Sequence, residues 1–371
     1  MFGERVLPPE PGLRKLRHRV VEKARLLGRN KVLRTFKDRW VPHICTTIPF
    51  AVWHKISGIR LVVPTWHIVS DIEVPHVSGL YSFKNVGQFK ADLEFFLRHY
   101  SPVTEQDVIR HLYEDGPLPP RCVLLTFDDG FREIYDVVAP LLRASGAPAI
   151  FFLTTSAIDN QHLCFPQKKS LLLSALAARQ SVTARDEASR LLSVAGVCNG
   201  PDLAPRIRAV SFQQRSVLDR LAGILSCDFK GYLASQKPYL SSEQVQVLVR
   251  QGFGIGAHSV DHAPYAELSL EEQLAQTRES IHWLSECFRL KCRSFAFPYR
   301  DNGVSLDFFR TIFGEGDLKL SFGTGGLIRH PYPYNLPRFF LEGTDLTAAE
   351  VLAYQFGRGL LRSNLRVGGP S

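Results

Sequence analysis

The chain has no uninterrupted apolar run of the roughly 18 residues that a membrane-spanning helix needs. Its first residues are charged and include proline, so they lack the apolar centre of a secretory signal peptide. Its seven cysteines are scattered, odd in number and never spaced as CxxC, which argues against a disulfide framework and a zinc knuckle. From these absences we expect a cytoplasmic protein with free thiols.

Positive charge is concentrated at one end of the chain. The 371 residues have a formal net charge of +9, and residues 1–40 hold twelve basic and four acidic side chains, which is eight of those nine charges. Within residues 13–40 the basic side chains alternate with apolar ones at loosely helical spacing. A basic amphipathic helix of this kind can lie on an anionic membrane surface, at the inner face in a cytoplasmic protein. A solvated helix or an unstructured arm is the alternative. No nucleic-acid recognition module accompanies the charge, so we expect no nucleic-acid partner.

The remaining sequence alternates buried apolar runs with amphipathic helices, which predicts an α/β fold with parallel strands joined by crossover helices. Residues 159–240 interrupt this alternation with helical segments that carry no chemical motif, so we expect an insertion that forms a lid or an interaction surface. The expected organisation is a basic extension over 1–60, an α/β domain over 61–345 that contains the insertion, and a C-terminal helix and tail over 346–371.

Two adjacent carboxylates, Asp128 and Asp129, follow an apolar run that we predict to be a buried strand ended by Gly130. Functional groups in α/β folds lie at the carboxyl ends of strands. Ionising two neighbouring carboxylates in a dry pocket is costly unless a cation neutralises one of them. Taken by itself, Asp-Asp-Gly equally indicates a turn whose carboxylates cap the next helix.

His258 and His262 follow a glycine-rich strand at i, i+4 spacing, and one helical turn would place both imidazoles on one face. Two histidines and one carboxylate leave coordination positions open for water and substrate, as a catalytic metal ion requires. A second carboxylate can then act as general base. Asp128 and Asp129 would supply the third ligand and the base, in an order that spacing leaves open.

These residues resemble the polysaccharide deacetylases that have a NodB-homology domain. Residues 126–130, Thr-Phe-Asp-Asp-Gly, match the first motif of that family, and residues 258–262, His-Ser-Val-Asp-His, match its second. Residues 295–299, Phe-Ala-Phe-Pro-Tyr, are similar to its third motif. The resemblance covers roughly residues 61–158 and 241–345. It implies a distorted (β/α) barrel of about seven parallel strands.

The resemblance also implies roles for individual residues. Asp128 would be the catalytic base, Asp129, His258 and His262 would bind one divalent metal ion, which we expect to be zinc, and the Tyr299 backbone amide would help form the oxyanion hole. The implied reaction removes the N-acetyl group of an amino sugar. In the cytoplasm its substrate would be a lipid- or nucleotide-linked precursor, or a glycan under assembly.

Two departures from the family pattern concern the partners of these residues. The third motif usually carries an arginine that orients the base, but this chain has Ala296 there, and Arg300 and Arg338 are the candidate replacements. The late motif that contains the general-acid histidine has no clear counterpart, and His67 and His330 are the candidates.

Two other functions are compatible with the same residues. Relatives in the same superfamily hydrolyse small cyclic amides or formamides. A catalytically silent glycan-binding protein could also retain the barrel, although the presence of both carboxylates and both histidines argues against loss of catalysis.

Overall fold

The computed structural model describes residues 45–178, 181–197 and 200–366, with side chains as far as Leu360. Its strands in chain order are β1 (Leu61–Val62), β2 (Pro64–Trp66), β3 (Ser101–Pro102), β4 (Cys122–Val123), β5 (Leu125–Phe127), β6 (Ala149–Leu153), β7 (Gly254–Ala257), β8 (Ser294–Ala296), β9 (Leu320–Gly323), β10 (Asn335–Pro337) and β11 (Phe339–Phe340). Eight of them form one parallel sheet in the order β10-β9-β8-β7-β6-β5-β2-β11. A smaller parallel sheet has the order β1-β4-β3.

Helices surround these sheets and fill the connections between strands. They are α1 (Phe50–Ser57), α2 (Pro75–Ser78), α3 (Val86–His99), α4 (Glu105–Glu114), α5 (Ala139–Ala144), α6 (Phe165–Ala177), α7 (Val182–Val194), α8 (Leu203–Ala209), α9 (Ser216–Ile224), α10 (Phe229–Gln236), α11 (Ser242–Arg250), α12 (Leu270–Phe288), α13 (Leu306–Gly314) and α14 (Ala348–Arg366). The helical segment after Gly130 begins with a π-helical turn at Ile134–Val138. Pro140 lies in the first turn of α5 and has no N–H to donate, which explains the wider turn before it.

One short segment closes the large sheet into a barrel. Its edge strands β10 and β11 are separated in the chain by Arg338 alone, and they pair with β9 and β2 respectively. The Arg338 amide donates to the Gly323 carbonyl (3.0 Å), and the Phe339 amide donates to the Val63 carbonyl (3.2 Å). The predicted distorted (β/α) barrel is confirmed, and these two short strands bring its strand number to eight.

Alternation along the strands separates the barrel interior from its outer layer. In β6, Ile150 and Phe152 join one buried apolar cluster, whereas Phe151 and Leu153 join another that includes residues of the surrounding helices. This two-residue period is what a strand buried on both faces requires. The barrel therefore has a packed interior and an independent layer of helix contacts.

The segment between β6 and β7, which contains the proposed insertion over 159–240, forms helices α6 to α10. These helices share an apolar cluster of their own that includes Leu172, Leu192, Leu218 and Leu221, all fully or almost fully buried. The insertion is therefore a packed helical unit attached to the barrel.

The ends of the described chain pack against each other. Trp53 of α1 is fully buried and stacks on Phe356 of α14, with ring centroids 6.0 Å apart. The basic segment 13–40 lies outside the described residues, and the proposed division at residues 60 and 345 stays a prediction. Within the described residues, no helix has the length and apolar character needed to cross a membrane.

Candidate active site

The predicted site residues lie at one end of the barrel because all of its strands run in the same direction. His67 follows β2, Asp128 and Asp129 follow β5, His258 follows β7, and Tyr299 lies three residues after β8. All five line one cleft, with a volume of about 840 Å³. The carboxyl ends of the strands thus form the site, as the fold class predicts.

Left-handed backbone conformations shape the two motif loops. Asp129 has φ 70° and His262 has φ 58°, values that residues other than glycine rarely adopt. Gly130 follows with φ 77°, and a Cβ there would lie 3.1 Å from Leu153 Cδ2. The Ser259 hydroxyl accepts a hydrogen bond from the His262 amide (3.0 Å), which stabilises the second loop. Such strain is typical of functional sites and is maintained by the packing around them.

Asp129, His258 and His262 form a compact set of metal-ligating atoms. All three residues are buried, and their candidate ligand atoms lie within 4.8 Å of one another. Asp129 Oδ1 lies 3.0 Å from His262 Nε2 and 3.4 Å from His258 Nε2. It is nonetheless buried without a hydrogen bond of acceptable geometry to any described residue. A buried carboxylate oxygen that is left unsatisfied between two imidazoles fits a bound cation.

The backbone fixes which nitrogen of His258 faces this carboxylate. His258 Nδ1 lies 2.8 Å from the Ala296 carbonyl, so this nitrogen carries the proton and donates it. In the neutral ring, Nε2 then presents a lone pair toward Asp129, as a metal ligand must. The residues present therefore fit one divalent ion with two nitrogen ligands and one oxygen ligand, a donor set that zinc commonly takes.

Asp128 is held by the buried guanidinium of Arg338. Arg338 Nη1 lies 2.6 Å from Oδ1 and Nη2 lies 2.8 Å from Oδ2, so the contact has two points. Burial raises the pKa of Asp128, but the Arg338 charge and hydrogen bonds outweigh it and hold that pKa below its ordinary value. Of the two candidate replacements for the arginine missing at Ala296, Arg338 is thus the one that contacts Asp128.

Arg338 reaches Asp128 from inside the barrel. Its guanidinium lies over the rings of Phe152 (5.2 Å) and Phe322 (5.9 Å), two residues of the interior apolar cluster. These rings offer their faces to a cation and leave it few other polar partners. The position of the Asp128 carboxylate is therefore set by Arg338, which is itself enclosed in the barrel interior.

His67 forms an ion pair with Glu342, which follows β11. His67 Nδ1 lies 2.6 Å from Glu342 Oε2, while Glu342 Oε1 accepts hydrogen bonds from the His67 and Ile68 amides (2.9 Å each). Burial lowers the pKa of His67, but the Glu342 charge and hydrogen bond, with smaller contributions from Asp129 and Asp128, raise it to about 9. His67 thus lines the cleft with its Nδ1 held by Glu342.

The structure places His330 elsewhere. It is half-buried, its ring lies 4.8 Å from that of Phe309, and its Nδ1 accepts a hydrogen bond from the Tyr332 amide (3.0 Å). It is absent from the lining of the cleft, whereas Arg300 and the half-exposed Tyr299 belong to that lining. The Tyr299 ring lies 4.9 Å from that of His262, and its carbonyl accepts a hydrogen bond from Thr324 Oγ1 (2.7 Å). Of the two candidate acids, only His67 lies at the site.

Sequence reasoning missed Glu342. This residue carried no motif, and its position just beyond a short strand was the only available signal. The insertion, for which a lid or an interaction surface was predicted, contributes one wall of the cleft through Phe165, Lys169, Arg208 and Ser211.

Comparison with known proteins agrees with this site. Residues 115–307, more than half of the chain, match the family model described as polysaccharide deacetylase. The chain belongs to the polysaccharide deacetylase family. Members of this family are hydrolases that act on carbon–nitrogen bonds other than peptide bonds. The match includes both motif loops, whereas Arg338 and Glu342 lie beyond its end.

Individual polysaccharide deacetylase relatives are distant. The chain is 41% identical over 61 residues to the poly-β-1,6-N-acetyl-D-glucosamine N-deacetylase of Escherichia coli K12, which covers 16% of this chain and 9% of that one. It is 26% identical over 116 residues to YxkH of Bacillus subtilis, covering 31% and 34% respectively. These matches thus span about a third or less of either relative.

Two solved structures share the fold. The deacetylase PplD of Streptococcus pyogenes, in complex with acetate, has a TM-score of 0.51 at 14% identity and covers 80% of this chain and 98% of its own. IcaB of Ammonifex degensii has a TM-score of 0.51 at 18% identity, with coverages of 81% and 98%. At such identities the likeness establishes the barrel alone.

Proposed function

We propose that this protein is a metal-dependent N-deacetylase that hydrolyses the N-acetyl group of an amino sugar in a glycan or glycan precursor. One observation carries the proposal. The cleft combines a buried ligand set, Asp129 with His258 and His262, and a second carboxylate, Asp128, that is held separately by Arg338. Hydrolysis of an unactivated amide needs both a Lewis acid and a base, and this cleft provides places for both.

Asp129, His258 and His262 would hold the ion, which we propose to be zinc. When bound, a divalent ion polarises the acetyl carbonyl and makes water more acidic. The His258 ring is oriented by the Ala296 carbonyl, and the His262 backbone is held by a hydrogen bond from its amide to the Ser259 hydroxyl. The protein therefore orients the His258 imidazole directly and positions His262 through its loop.

Asp128 would accept the proton of the attacking water. Arg338 keeps this carboxylate ionised at neutral pH and fixes both of its oxygens, so the remaining lone pairs have a defined direction. Because Asp128 is paired with Arg338, it is available as a base and does not need to serve as a further ligand. The assignment of base and ligand to the two adjacent carboxylates rests on these separate partners.

His67 would donate a proton to the leaving nitrogen. An amide nitrogen leaves readily only when it is protonated, so a general acid is needed on the cleft wall. Glu342 orients the imidazole through Nδ1 and stabilises its protonated form at neutral pH. The developing oxyanion would be stabilised by the backbone amide of Tyr299, whose peptide is anchored through its carbonyl at Thr324.

We further propose a cytoplasmic location, with substrates that are lipid- or nucleotide-linked precursors or glycans under assembly. The six cysteines of the described residues are all free thiols, as a reducing compartment would keep them. Peripheral contact of residues 13–40 with an anionic membrane would bring the enzyme to a lipid-linked substrate.

The direct test is an assay of the zinc-loaded protein on oligomers of N-acetylglucosamine. We expect acetate and free amino groups to appear in equal amounts. Asp128→Asn protein prepared in parallel should form both products far more slowly. Release of formate, or opening of a cyclic amide without any acetate from the sugar oligomers, would instead favour the small-amide hydrolases.

A further inference from the structure

The walls of the cleft carry more positive charge than the catalytic groups use. The charged side chains of the lining, leaving out histidine, are Asp128, Asp129, Lys169, Arg208, Glu267, Arg300 and Glu342. Each carboxylate in this set has a cationic or hydrogen-bond-donating partner on the protein, whereas none of the three cations has a carboxylate within 4.0 Å in the part of the chain that the structure describes.

Three of the carboxylates belong to the catalytic groups. Asp128 pairs with Arg338, Glu342 pairs with His67, and Asp129 faces the two histidines with which it would hold a divalent cation. Because that cation would carry two positive charges against the single charge of Asp129, the ligand set adds no negative charge to the cleft.

The fourth carboxylate, Glu267, interacts with residues of the insertion. Its Oε2 accepts a hydrogen bond from the Phe212 amide (3.0 Å), and its charge acts on Lys169. Lys169 Nζ in turn donates to the carbonyls of Arg208 (2.9 Å) and Val210 (2.6 Å), which anchors the end of α8 against the cleft. Glu267 and Lys169 therefore use their polar atoms on the backbone of the insertion and help to build the wall.

Arg208 and Arg300 are the two remaining charged residues of the cleft lining. Both are exposed, and within the described residues neither guanidinium has a carboxylate within 4.0 Å. The contact of Arg208 with the Gly79 carbonyl is long, at 3.4 Å. Arginine side chains with free donors on the wall of a site are suited to two-point recognition of phosphate or carboxylate groups.

The two arginines reach the cleft from different elements of the fold. Arg208 belongs to α8 and lies against Gly79, in the connection after β2, whereas Arg300 follows β8. In the order of the large sheet, three strands separate β2 from β8 in either direction around the barrel. The motif carboxylates follow β5, one of those intervening strands. Because Arg208 and Arg300 line the same cleft as these carboxylates, a glycan that reaches Asp128 would lie within walls that carry both guanidinium groups.

We propose that the natural substrate is an anionic glycan, with phosphate or carboxylate groups on units that flank the acetamido sugar, and that Arg208 and Arg300 recognise these groups. The inference rests on the proposed deacetylase function and narrows its substrate class. Lipid- and nucleotide-linked precursors carry phosphate, and polymers with uronic acid units carry carboxylate. The shared chemistry is a negative charge next to the sugar that is hydrolysed.

The test measures kcat/KM of the zinc-loaded full chain on three oligosaccharides of equal length. One is a neutral N-acetylated oligomer, one has flanking uronic acids and one has flanking sugar phosphates. We expect the anionic oligomers to have the higher kcat/KM at low salt and to lose this advantage at about 1 M salt, where the Debye length is about 3 Å. The better of the two anionic oligomers identifies the anionic group.

Arg208→Gln and Arg300→Gln should each lower kcat/KM for the anionic oligomers by about tenfold, through KM, and leave the neutral oligomer unchanged. Arg190→Gln is the matched control, because Arg190 is an exposed arginine of the insertion outside the cleft lining. Equal kcat/KM for the three oligomers, or arginine variants that behave like Arg190→Gln, would overturn the proposal while the deacetylase function stands. If no oligomer releases acetate, the deacetylase proposal fails, and equilibrium binding of the same three oligomers then decides whether the cleft prefers anions.

Discussion

Arg338 donates to both carboxylate oxygens of Asp128 from the single residue that joins the two edge strands of the barrel. Both side chains are at most 2% exposed. A buried carboxylate with one cationic partner depends on that partner for its charge, because little water reaches it. The charge of Asp128 is therefore linked to a residue 210 positions later in the chain.

Replacing Arg338 by glutamine should raise the pKa of Asp128. Arg338 holds that pKa below its ordinary value, and without the guanidinium the effect of burial would prevail. Because a base works only when ionised, we expect the acidic limb of the kcat/KM profile to move to higher pH. The free energy of unfolding should fall by about 3 to 5 kcal/mol, since a buried charge loses its partner.

Arg338→Lys is the informative control for that change. Lysine keeps the positive charge but cannot make the two-point contact, so the acidic limb should move less while turnover still falls. An Arg338→Gln enzyme whose acidic limb stays in place would show that Asp128 does not depend on Arg338.

Replacing His258 by alanine should remove the metal, because only Asp129 and His262 would remain as protein ligands. Elemental analysis of the purified protein measures this directly. His282→Ala is a suitable control, since His282 lies on α12 outside the ligand set. Stoichiometric metal in the His258→Ala protein would disprove the ligand assignment.

Asp128→Asn should separate the base from the ligands. The variant should keep its metal while turnover falls by about 10² to 10⁴, the usual contribution of a positioned general base. Asparagine has nearly the same shape but offers only one oxygen to Arg338, so the free energy of unfolding should also fall because the buried guanidinium loses its counter-charge. Metal content and turnover are therefore expressed per folded protein. Near-normal turnover would exclude the proposed role.

His67 and Glu342 should control the alkaline limb. The pKa of His67 is raised to about 9, so its acid form is present at neutral pH and is lost as pH rises through that value. Glu342→Gln removes the charge that favours the imidazolium, and we expect the alkaline limb to move to lower pH. His67→Ala should abolish that limb and slow turnover.

His330→Ala provides the comparison for those variants. This residue lies against Phe309 and Tyr332, outside the cleft lining, so its loss should leave the pH profile unchanged. An unchanged alkaline limb in His67→Ala, with a change in His330→Ala, would reverse the assignment of the acid.

A chain that begins at Cys45 should keep its metal and its activity on a soluble substrate, and should lose binding to anionic vesicles. Truncation must stop before α1, because Trp53 is buried against Phe356 and removing it would open the apolar core. Vesicle sedimentation at low salt compares the two chains. If the 371-residue chain does not sediment with anionic vesicles, the membrane interpretation of residues 13–40 is wrong.

The sequence was sufficient for the parts of the site that are local. Asp128 with Asp129, and His258 with His262, are close neighbours in the chain, so a short pattern records both their chemistry and their position after a strand. The alternation of strands and helices likewise predicted parallel strands joined by crossover helices, because each crossover is a local event, and the family resemblance of the two motifs implied the barrel.

The sequence could not identify the partners of the site residues that come together only when the barrel closes. Glu342 reaches His67 across 275 positions, and Arg338 was only one of two candidates for the base's partner. Neither lies in a recognisable pattern, because a lone charge beside a short strand is compatible with many surroundings. The position of the insertion over the cleft depends on tertiary packing in the same way.

The contact between Arg338 and Asp128 depends on the seam of the barrel, the place where β10 and β11 meet at Arg338. Arg338 closes the sheet through its backbone and orders the base through its side chain, so one residue serves both tasks. If β10 or β11 detaches, the guanidinium moves away with the strand and Asp128 loses its charge partner. Hydrolysis would then stop before the rest of the protein unfolds, and the active fraction of a preparation would equal the fraction whose seam is closed.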